Sequence, residues 1–237
     1  MNYLQLAQRL RQEAGVPGTG PTAVTSQTGE LLRLVDWVAT AWRELQNKHI
    51  NWRWMRRSFT FTTTTGQSEY ASTAATDTTD AAAISRFARW ISHDDYGCVT
   101  VSIYETATGV SAQRWLIYMP WDSFRGLYRF SAQTNGVPAH FSITPANKIA
   151  IGPAPNATGY TVAGDYQMGA QELSANGDTP DMPVRFHLLI VYEALKKYAA
   201  YDAAGEVYAV AKAESDSLMF RLESDQLPEI IAGASIA

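Results

Sequence analysis

Apolar residues recur at helical spacing at the amino-terminal end of the chain. The stripe over residues 2–14 is followed by Gly15 and Pro17, which predicts a short helix that stops there. A stronger stripe over residues 29–49 predicts a second helix, because its apolar positions share one face while charged positions lie elsewhere. The members of this second stripe are Leu31, Leu34, Val35, Val38, Ala41, Trp42 and Leu45.

The pattern changes from Trp52 onwards, where β-branched and aromatic residues become frequent. The stretch SFTFTTTTGQSEYAS predicts a hairpin with its turn at Thr-Gly-Gln, and TDAAAISRFARWIS predicts a short helix. Glycine, proline and asparagine clusters separate the remaining segments, so the region is expected to be a small antiparallel β domain. The further predicted strands cover 98–105, 113–121, 139–144, 148–152 and 160–168.

Helical spacing returns after NGDTPDMP. Asp181 is predicted to cap a helix with Pro183 in its first turn, and Gly205 separates this helix from a second one over 207–222. The predicted fold class is α+β: a bundle of about four helices, two amino-terminal and two carboxy-terminal, with an inserted antiparallel β domain. The predicted domains are 1–51 and 181–227 for the helical core, 52–180 for the β-rich insertion and 228–237 for an extended tail.

Composition narrows the classes of protein. The chain has 237 residues, 46% hydrophobic and 11% aromatic, which is typical of a globular protein with large contact surfaces. The net charge is −4, with a basic excess only in residues 1–57, and this argues against a protein that wraps DNA. The single cysteine excludes an internal disulfide, and the amino terminus predicts neither a secretory leader nor a membrane span.

The glycine-rich stretch GVPGTG, with Gly15, Gly18 and Gly20, invites comparison with phosphate-binding loops. A Walker loop needs a lysine after its last glycine and a dinucleotide fold needs a preceding strand, whereas here a helix precedes and no lysine follows. The stretch is therefore interpreted as a structural connector between two helices.

The junction NWRWMRRSF interleaves Trp52 and Trp54 with Arg53, Arg56 and Arg57. Such a cluster could hold nucleic acid by stacking and charge. The favoured interpretation is a helix-to-strand junction, in which the tryptophans pack on the β domain and the arginines are solvated or pair across a protein interface, because the cluster is short and isolated in an acidic chain.

Other candidate sites have simpler explanations. His93, Asp94 and Asp95 are consecutive, so a polar turn is favoured over a metal site, and helix capping suffices for Asp178 and Asp181. The histidines are scattered, and no nucleophile-base motif is recognisable. We therefore expect no enzymatic activity, no cofactor and no metal.

Taken in order, several segments resemble the head-tail adaptor, or connector, proteins of tailed bacteriophages. The resemblance covers nearly the whole chain. Its pieces are loose patterns, so its specificity comes from their order. They are LRQEAGVPGTGPTAVTSQTGELLRLVDWVATAWRELQ, WRWMRRSFTF, WLIYMPWDSFR, GVPAHFSI, KIAIGPAPNATGYTVAGDY and DTPDMPVRFHLLIVYEALKKYAAYDAAGEVY.

The resemblance implies a structural virion protein at the head–tail junction, made in the host cytoplasm. It implies a ring, expected to be a dodecamer, that binds the portal protein on one side and tail or further adaptor proteins on the other. Genomic DNA would pass through the channel without specific binding, and the tail after Leu227 would extend into the portal. The predicted interface residues are Gly15, Gly18, Gly20, Trp42, Trp52, Arg53, Trp54, Arg56, Arg57, Leu227, Pro228, Ile230 and Ile231.

An alternative of another class stays open from the residues alone. A β-rich module mounted on helices could bind carbohydrate or another ligand, with Trp115 and Trp121 stacking on sugar rings. A ring adaptor predicts large oligomers or recruitment by a portal, whereas a sugar-binding module predicts a monomer with saturable glycan binding.

Overall fold

A computed structural model describes residues 1–130 and 133–228. The chain divides into two compact units. Met1–Met55 with Ala170–Ala237 form the first, here called the helical unit, and Arg56–Gly169 form the second, here called the β unit. Ile230 and Ile231 lie outside the described residues.

The helical unit contains four of the five α-helices in the described part of the chain, and α4 lies among the others, since it packs on α1, α2 and α5. Helix α4 is apolar around most of its circumference, as expected for a helix with neighbours on several sides. The four helices are α1 (Tyr3–Glu13), α2 (Gly29–Lys48), α4 (His187–Tyr201) and α5 (Gly205–Gln226).

The β unit contains two sheets and one helix, α3 (Trp121–Tyr128). Sheet A is antiparallel and runs β3-β1-β10-β5-β6, with β4 also paired to β10. Its strands are β1 (Arg56–Thr62), β3 (Thr76–Asp77), β4 (Arg89–Ile91), β5 (Ser102–Glu105), β6 (Arg114–Trp115) and β10 (Tyr160–Gln167).

Sheet B runs β2-β9-β8-β7, and its β7–β8 pair is parallel, which departs from the expected all-antiparallel domain. Helix α3 contacts β8. The strands of sheet B are β2 (Glu69–Tyr70), β7 (Ile117–Tyr118), β8 (His140–Ile143) and β9 (Ile149–Gly152).

The α+β class and the positions of α1, α2, α4 and α5 agree in outline with the sequence prediction, but the hairpin prediction is wrong. Strand β1 pairs with β10 and β3, whereas β2 pairs with β9 in the other sheet. The alternation of Phe59 and Phe61 places both rings in the core, and seven residues of β1 match β10 in register. This long pairing offers β1 more hydrogen bonds than the two-residue β2 could.

Three further predictions need correction. Residues 79–92 form no helix, because Ala81 has a left-handed φ of 52° and Trp90 is buried in β4. Helix α3 occupies a region expected to be only strand and loop, and it begins directly after Pro120. Asp181 does not cap α4, since a short turn over Val184–Phe186 precedes the helix, which begins at His187.

Candidate functional site

The loop between α1 and α2 is a connector, as predicted, but it is fixed to α1 and is not a loose joint. The Arg11 guanidinium donates to the carbonyl oxygens of Val16, at 2.9 Å, and of Gly18. The Gln8 side-chain amide donates to the Pro21 carbonyl at 2.9 Å. Val16 is also buried, while Gly18 is exposed. The loop therefore presents a defined surface.

Gly15, Gly18 and Gly20 all have left-handed backbone, with φ of 67°, 95° and 103°. A side chain at these positions would strain the loop even though a Cβ at Gly15 or Gly18 would meet nothing within 4 Å. The glycines are thus needed for the loop conformation. Replacing them with alanine would test this conformation together with any interface.

Trp42 and Trp52, predicted as interface residues, are fully buried inside the helical unit. The Trp52 Nε1–H donates to the Leu45 carbonyl at 3.1 Å, and the His49 ring meets the indole edge-on at a centroid distance of 4.9 Å. Trp54 stacks on Trp52 at 4.3 Å. The tryptophans therefore stabilise the helical unit, whereas the sequence analysis expected them to pack on the β domain. The indoles of Trp42 and Trp52 are buried and present no surface to a neighbouring subunit.

Arg53 is exposed beside this tryptophan pair, and its guanidinium lies 3.5 Å from the Asp225 carbonyl oxygen. Trp54, Leu227 and Pro228 are half-buried. The Leu227 N–H donates to Glu223 at 2.9 Å, which closes the end of α5. Of the predicted interface set in the helical unit, the connector, Arg53, Trp54 and the end of α5 are therefore the parts that reach the surface.

Arg56 and Arg57 are engaged within the β unit. Nε and Nη2 of Arg56 donate to Asp165 Oδ2 at 3.0 and 2.6 Å, and Ser58 donates to the other oxygen of this carboxylate at 2.7 Å. Arg57 Nη1 lies 2.6 Å from Asp80 Oδ2. Because both cations are neutralised at close range, neither is available for strong phosphate binding.

A second partner of Arg57 is Asp77, a buried carboxylate at 3.5 Å. Burial alone would raise the pKa of Asp77, but hydrogen bonds from Tyr166 and Thr79 and the charge of Arg57 outweigh it and lower this pKa. Burial and the hydrogen bond to Asp77 raise the pKa of Tyr166. The cluster is a structural network at the inner side of β1, β3 and β10.

The acidic turns bind their own backbone. Asp94 Oδ1 accepts from the N–H groups of Tyr96 and Cys98, and Asp178 Oδ2 accepts from those of Ser174 and Ala175. These backbone donors lower the pKa of Asp178. No cluster of three potential metal ligands occurs within 1–130 and 133–228. Asp94 therefore lies in a polar turn, the arrangement that the sequence analysis favoured for residues 93–95.

The four histidines have separate partners. His49 contacts Glu223 at 2.9 Å, His140 contacts Tyr128 at 2.7 Å, and exposed His93 contacts its neighbour Ser92 at 3.1 Å. His187 is buried, its Nε2 lies 3.1 Å from the Met182 carbonyl, and burial lowers its pKa. Each imidazole thus has a local structural role.

Helix α5 carries a surface that the sequence analysis missed. Its buried residues share one side, whereas an exposed, uncharged stripe lies on the opposite side at the spacing of an α-helix. The buried residues are Ala211, Ser215, Met219 and Leu222. The exposed set, here called the α5 outer stripe, is Val210, Ala213, Ser217 and Phe220. A search for a second apolar face on one helix would have found this stripe.

The two tryptophans of the carbohydrate alternative differ in environment. Trp115 is 65% exposed at the edge of sheet A. Trp121 is half-buried in α3, where it stacks on Phe124 at 6.0 Å. They do not form a matched pair of stacking platforms, and only Trp115 presents most of its surface.

Comparison with known proteins assigns the chain to a family. Among the described residues, no helix combines the length and apolar character needed to cross a membrane. No curated protein matches the chain significantly. The family model described as SU10 adaptor protein matches residues 1–232, which include both units and the α5 outer stripe. This match agrees with the resemblance to tailed-phage head-tail adaptors, and the chain belongs to the SU10 adaptor protein family.

Proposed function

We propose that this phage adaptor protein joins the capsid to the tail, with copies forming a ring beneath the portal through which DNA passes. The observation that carries the proposal is the family match over residues 1–232. The helical core of 1–51 and 181–227 would build the ring, which we expect to be a dodecamer in the virion. The segment from Pro228 to residue 237 would reach the portal.

The α5 outer stripe supports a subunit contact in the helical unit. Val210 is 63% exposed and Phe220 is 73% exposed. Single exposed apolar residues are common, but residues aligned on one helix face form a continuous contact surface. Two small residues, Ala213 and Ser217, lie between the large ones and would let a neighbouring backbone approach closely.

Charges flank the stripe on both sides. Lys212 and Asp216 pair on one flank, while Glu214 and Arg221 lie on the other. An apolar centre with a polar rim is the usual anatomy of a protein interface. We infer that this face of α5 meets an adjacent subunit, with the exposed part of the α1–α2 connector as a second contact with a subunit or the portal.

The electrostatics fit passage of DNA better than capture of DNA. The chain is acidic overall, and Arg56 and Arg57 are already paired with carboxylates. A channel built from such subunits would repel phosphate and let the duplex slide. The negative charge of the proposed ring therefore has a use in the proposed function.

The experiment is reconstitution with the purified portal protein, followed by native mass spectrometry and negative-stain imaging. The wild-type chain should form rings alone or on the portal. Phe220→Glu should stay folded, because its ring is exposed, and should lose at least about tenfold in assembly affinity by placing a charge in an apolar contact. Gln12→Glu, which adds a carboxylate on exposed α1 surface, is the matched control.

The outcomes separate the two parts of the proposal. A chain that stays monomeric and ignores the portal contradicts the adaptor function. Normal assembly of Phe220→Glu would leave the adaptor function intact and remove the α5 outer stripe from the contact.

A further inference from the structure

A groove of about 320 Å³ crosses the polar face of sheet A. Its lining combines hydroxyl, amide, carboxylate and guanidinium side chains with one tryptophan and the apolar residues Phe59 and Val99. We call it the sheet A groove. It is defined by Ser58, Thr60, Ser102, Gln113, Trp115, Ala163 and Asp165. Its volume is at the lower end of the range of small-molecule sites.

The strand register explains the shape of the groove. Thr60, Ala163, Ser102 and Trp115 are direct neighbours in one row across β1, β10, β5 and β6. Residues paired across antiparallel strands have their side chains on the same face. Ala163 leaves a low centre in this row, and the indole of Trp115 forms the high end. A concave surface with an aromatic wall results.

The polar groups beside this row are held in place. Asp165 is oriented by Arg56, at 2.6 Å, and by the Ser58 hydroxyl, at 2.7 Å. On the other side, the Gln113 amide donates to the Ser102 hydroxyl at 2.6 Å. These carboxylate, hydroxyl and amide groups together offer both donors and acceptors to a ligand. Groups fixed in advance lose little entropy on binding.

Trp115 is the unusual member of this surface. It is 65% exposed, and its ring stacks on no other aromatic ring among the described residues. An indole presents an electron-rich apolar face. The C–H groups on one side of a pyranose ring form a complementary, weakly positive apolar face. An exposed indole beside hydrogen-bonding groups therefore suits a sugar.

Other ligand classes fit the groove less well. A nucleic acid would meet Asp165, Asp94 and Asp95, and Arg56 is already neutralised by Asp165. A metal ion would compete with the Arg56 guanidinium for the same carboxylate, and no ligand cluster occurs in the described ranges. An apolar peptide would need a larger apolar anchor region than one tryptophan provides.

We propose that the sheet A groove binds a neutral pyranose unit, with its ring stacked on Trp115 and its hydroxyls bonded to Asp165, Gln113 and Ser58. This site lies wholly in the β unit and does not rest on the proposed ring. It would give the adaptor a carbohydrate-binding surface in addition to its structural role.

The test is saturation-transfer difference NMR of the full chain with four probes: the methyl glycosides of glucose, galactose, mannose and N-acetylglucosamine. At least one should bind saturably with a millimolar Kd. Trp115→Ala should weaken that binding by about tenfold or more through loss of stacking, and Trp115→Phe should retain most of it. Gln113→Ala should weaken it less, through the loss of one amide contact.

Trp121→Ala is the matched control, because it removes a tryptophan of the same unit that lies outside the groove lining. Circular dichroism confirms that each variant is folded. Absence of saturable binding to all four probes overturns the proposal. Binding that persists in Trp115→Ala, or that is lost equally in Trp121→Ala, also overturns it. Oligomeric state, measured separately, reports on the adaptor function alone.

Discussion

Asp77 is the most buried carboxylate of the β unit, and replacing it gives a quantitative test of what stabilises that unit. The residue is 5% exposed. Its Oδ2 accepts from the Tyr166 hydroxyl at 2.6 Å and lies 3.5 Å from Arg57 Nη1, while Oδ1 accepts from the Thr79 N–H at 2.6 Å. The contacts with Tyr166 and Arg57 join β3 to the central strands β10 and β1, while the contact with Thr79 fixes the turn after β3.

Replacing Asp77 with alanine leaves three hydrogen-bond donors without their acceptor: the Tyr166 hydroxyl and the N–H groups of Thr79 and Asp80. The Tyr166 hydroxyl is buried, and an unsatisfied buried group costs about 1–3 kcal/mol. The hydrogen bond to the Thr79 N–H adds about 1 kcal/mol, and loss of the partly buried contact with Arg57 adds a smaller amount. We expect a total loss of about 2–5 kcal/mol, a large fraction of the stability of a typical domain.

The readout should be hydrogen exchange of the β1 and β10 amides, because denaturation of the whole chain would mix the two units. Asp80→Ala is the matched control. It removes the other carboxylate of Arg57, but its side chain is 62% exposed, and such surface pairs contribute about 0–1 kcal/mol. If Asp77→Ala and Asp80→Ala lower the hydrogen-exchange protection equally, burial of the Asp77 network adds nothing to stability and the reasoning is refuted.

The pH dependence gives the same network a second signature. The pKa of Asp77 is lowered from 3.8 in the folded protein. Its contribution to folding stability is therefore complete above its pKa in the unfolded chain and is lost as the pH falls below that value. The pKa of Tyr166 is raised from 10.0 in the folded protein. Its contribution to folding stability is therefore complete below pH 10.0 and is lost as the pH rises above that value. Asp77→Ala should flatten the exchange profile of β1 at the acid extreme, and Tyr166→Phe should flatten it at the alkaline extreme.

Two further predictions concern single positions. A Cβ on Gly152 would lie 2.6 Å from the Tyr128 ring, so Gly152→Ala should destabilise β8 and β9 by about 1–3 kcal/mol, measured by hydrogen exchange. Gly126→Ala is the control, because a Cβ at Gly126 would meet open space and should not change the stability. Equal effects of the two substitutions would contradict the packing argument. Burial lowers the pKa of His187 from 6.5, so α4 should lose amide protection as pH falls from about 7 to about 5. His187→Gln should remove this pH-dependent loss. If the variant kept the pH profile of the wild-type protein, the role of His187 would be contradicted.

The helices were predictable because their signal is local. The stripe over 29–49 defines α2 to within one residue, since successive turns of one helix bury the same side. Helix α4 begins later than predicted because the chain first makes a short turn over Val184–Phe186. Capping chemistry alone could not reveal that turn.

Strand positions were largely predictable, but their partners were not. β1 and β10 pair from Arg56 with Gln167 to Thr62 with Thr161, far apart along the chain. Alternation shows which residues face a core, and it says nothing about which strand lies beside them. The hairpin prediction failed for this reason, since it used proximity in sequence, whereas β1 pairs over seven residues with the distant strand β10.

The exposure of the predicted interface residues was the least predictable feature. A tryptophan suits a protein interface and a protein core equally well, so Trp42 and Trp52 could be separated from surface residues only by their burial. The α5 outer stripe was accessible from sequence, because Val210, Ala213, Ser217 and Phe220 repeat at three and four positions. It was missed because only one face of α5 was considered.

The pairing of Arg56 and Arg57 with carboxylates also changes how assembly is expected to depend on salt. If Arg56 and Arg57 held a partner by charge, salt would weaken the contact. Both are instead satisfied inside the β unit, and the α5 outer stripe is uncharged. Burying an exposed side chain the size of Phe220 contributes about 2 kcal/mol per contact. In the proposed ring, every subunit would make this contact with its neighbour, so a modest apolar term per interface would stabilise the whole assembly and would resist screening by salt.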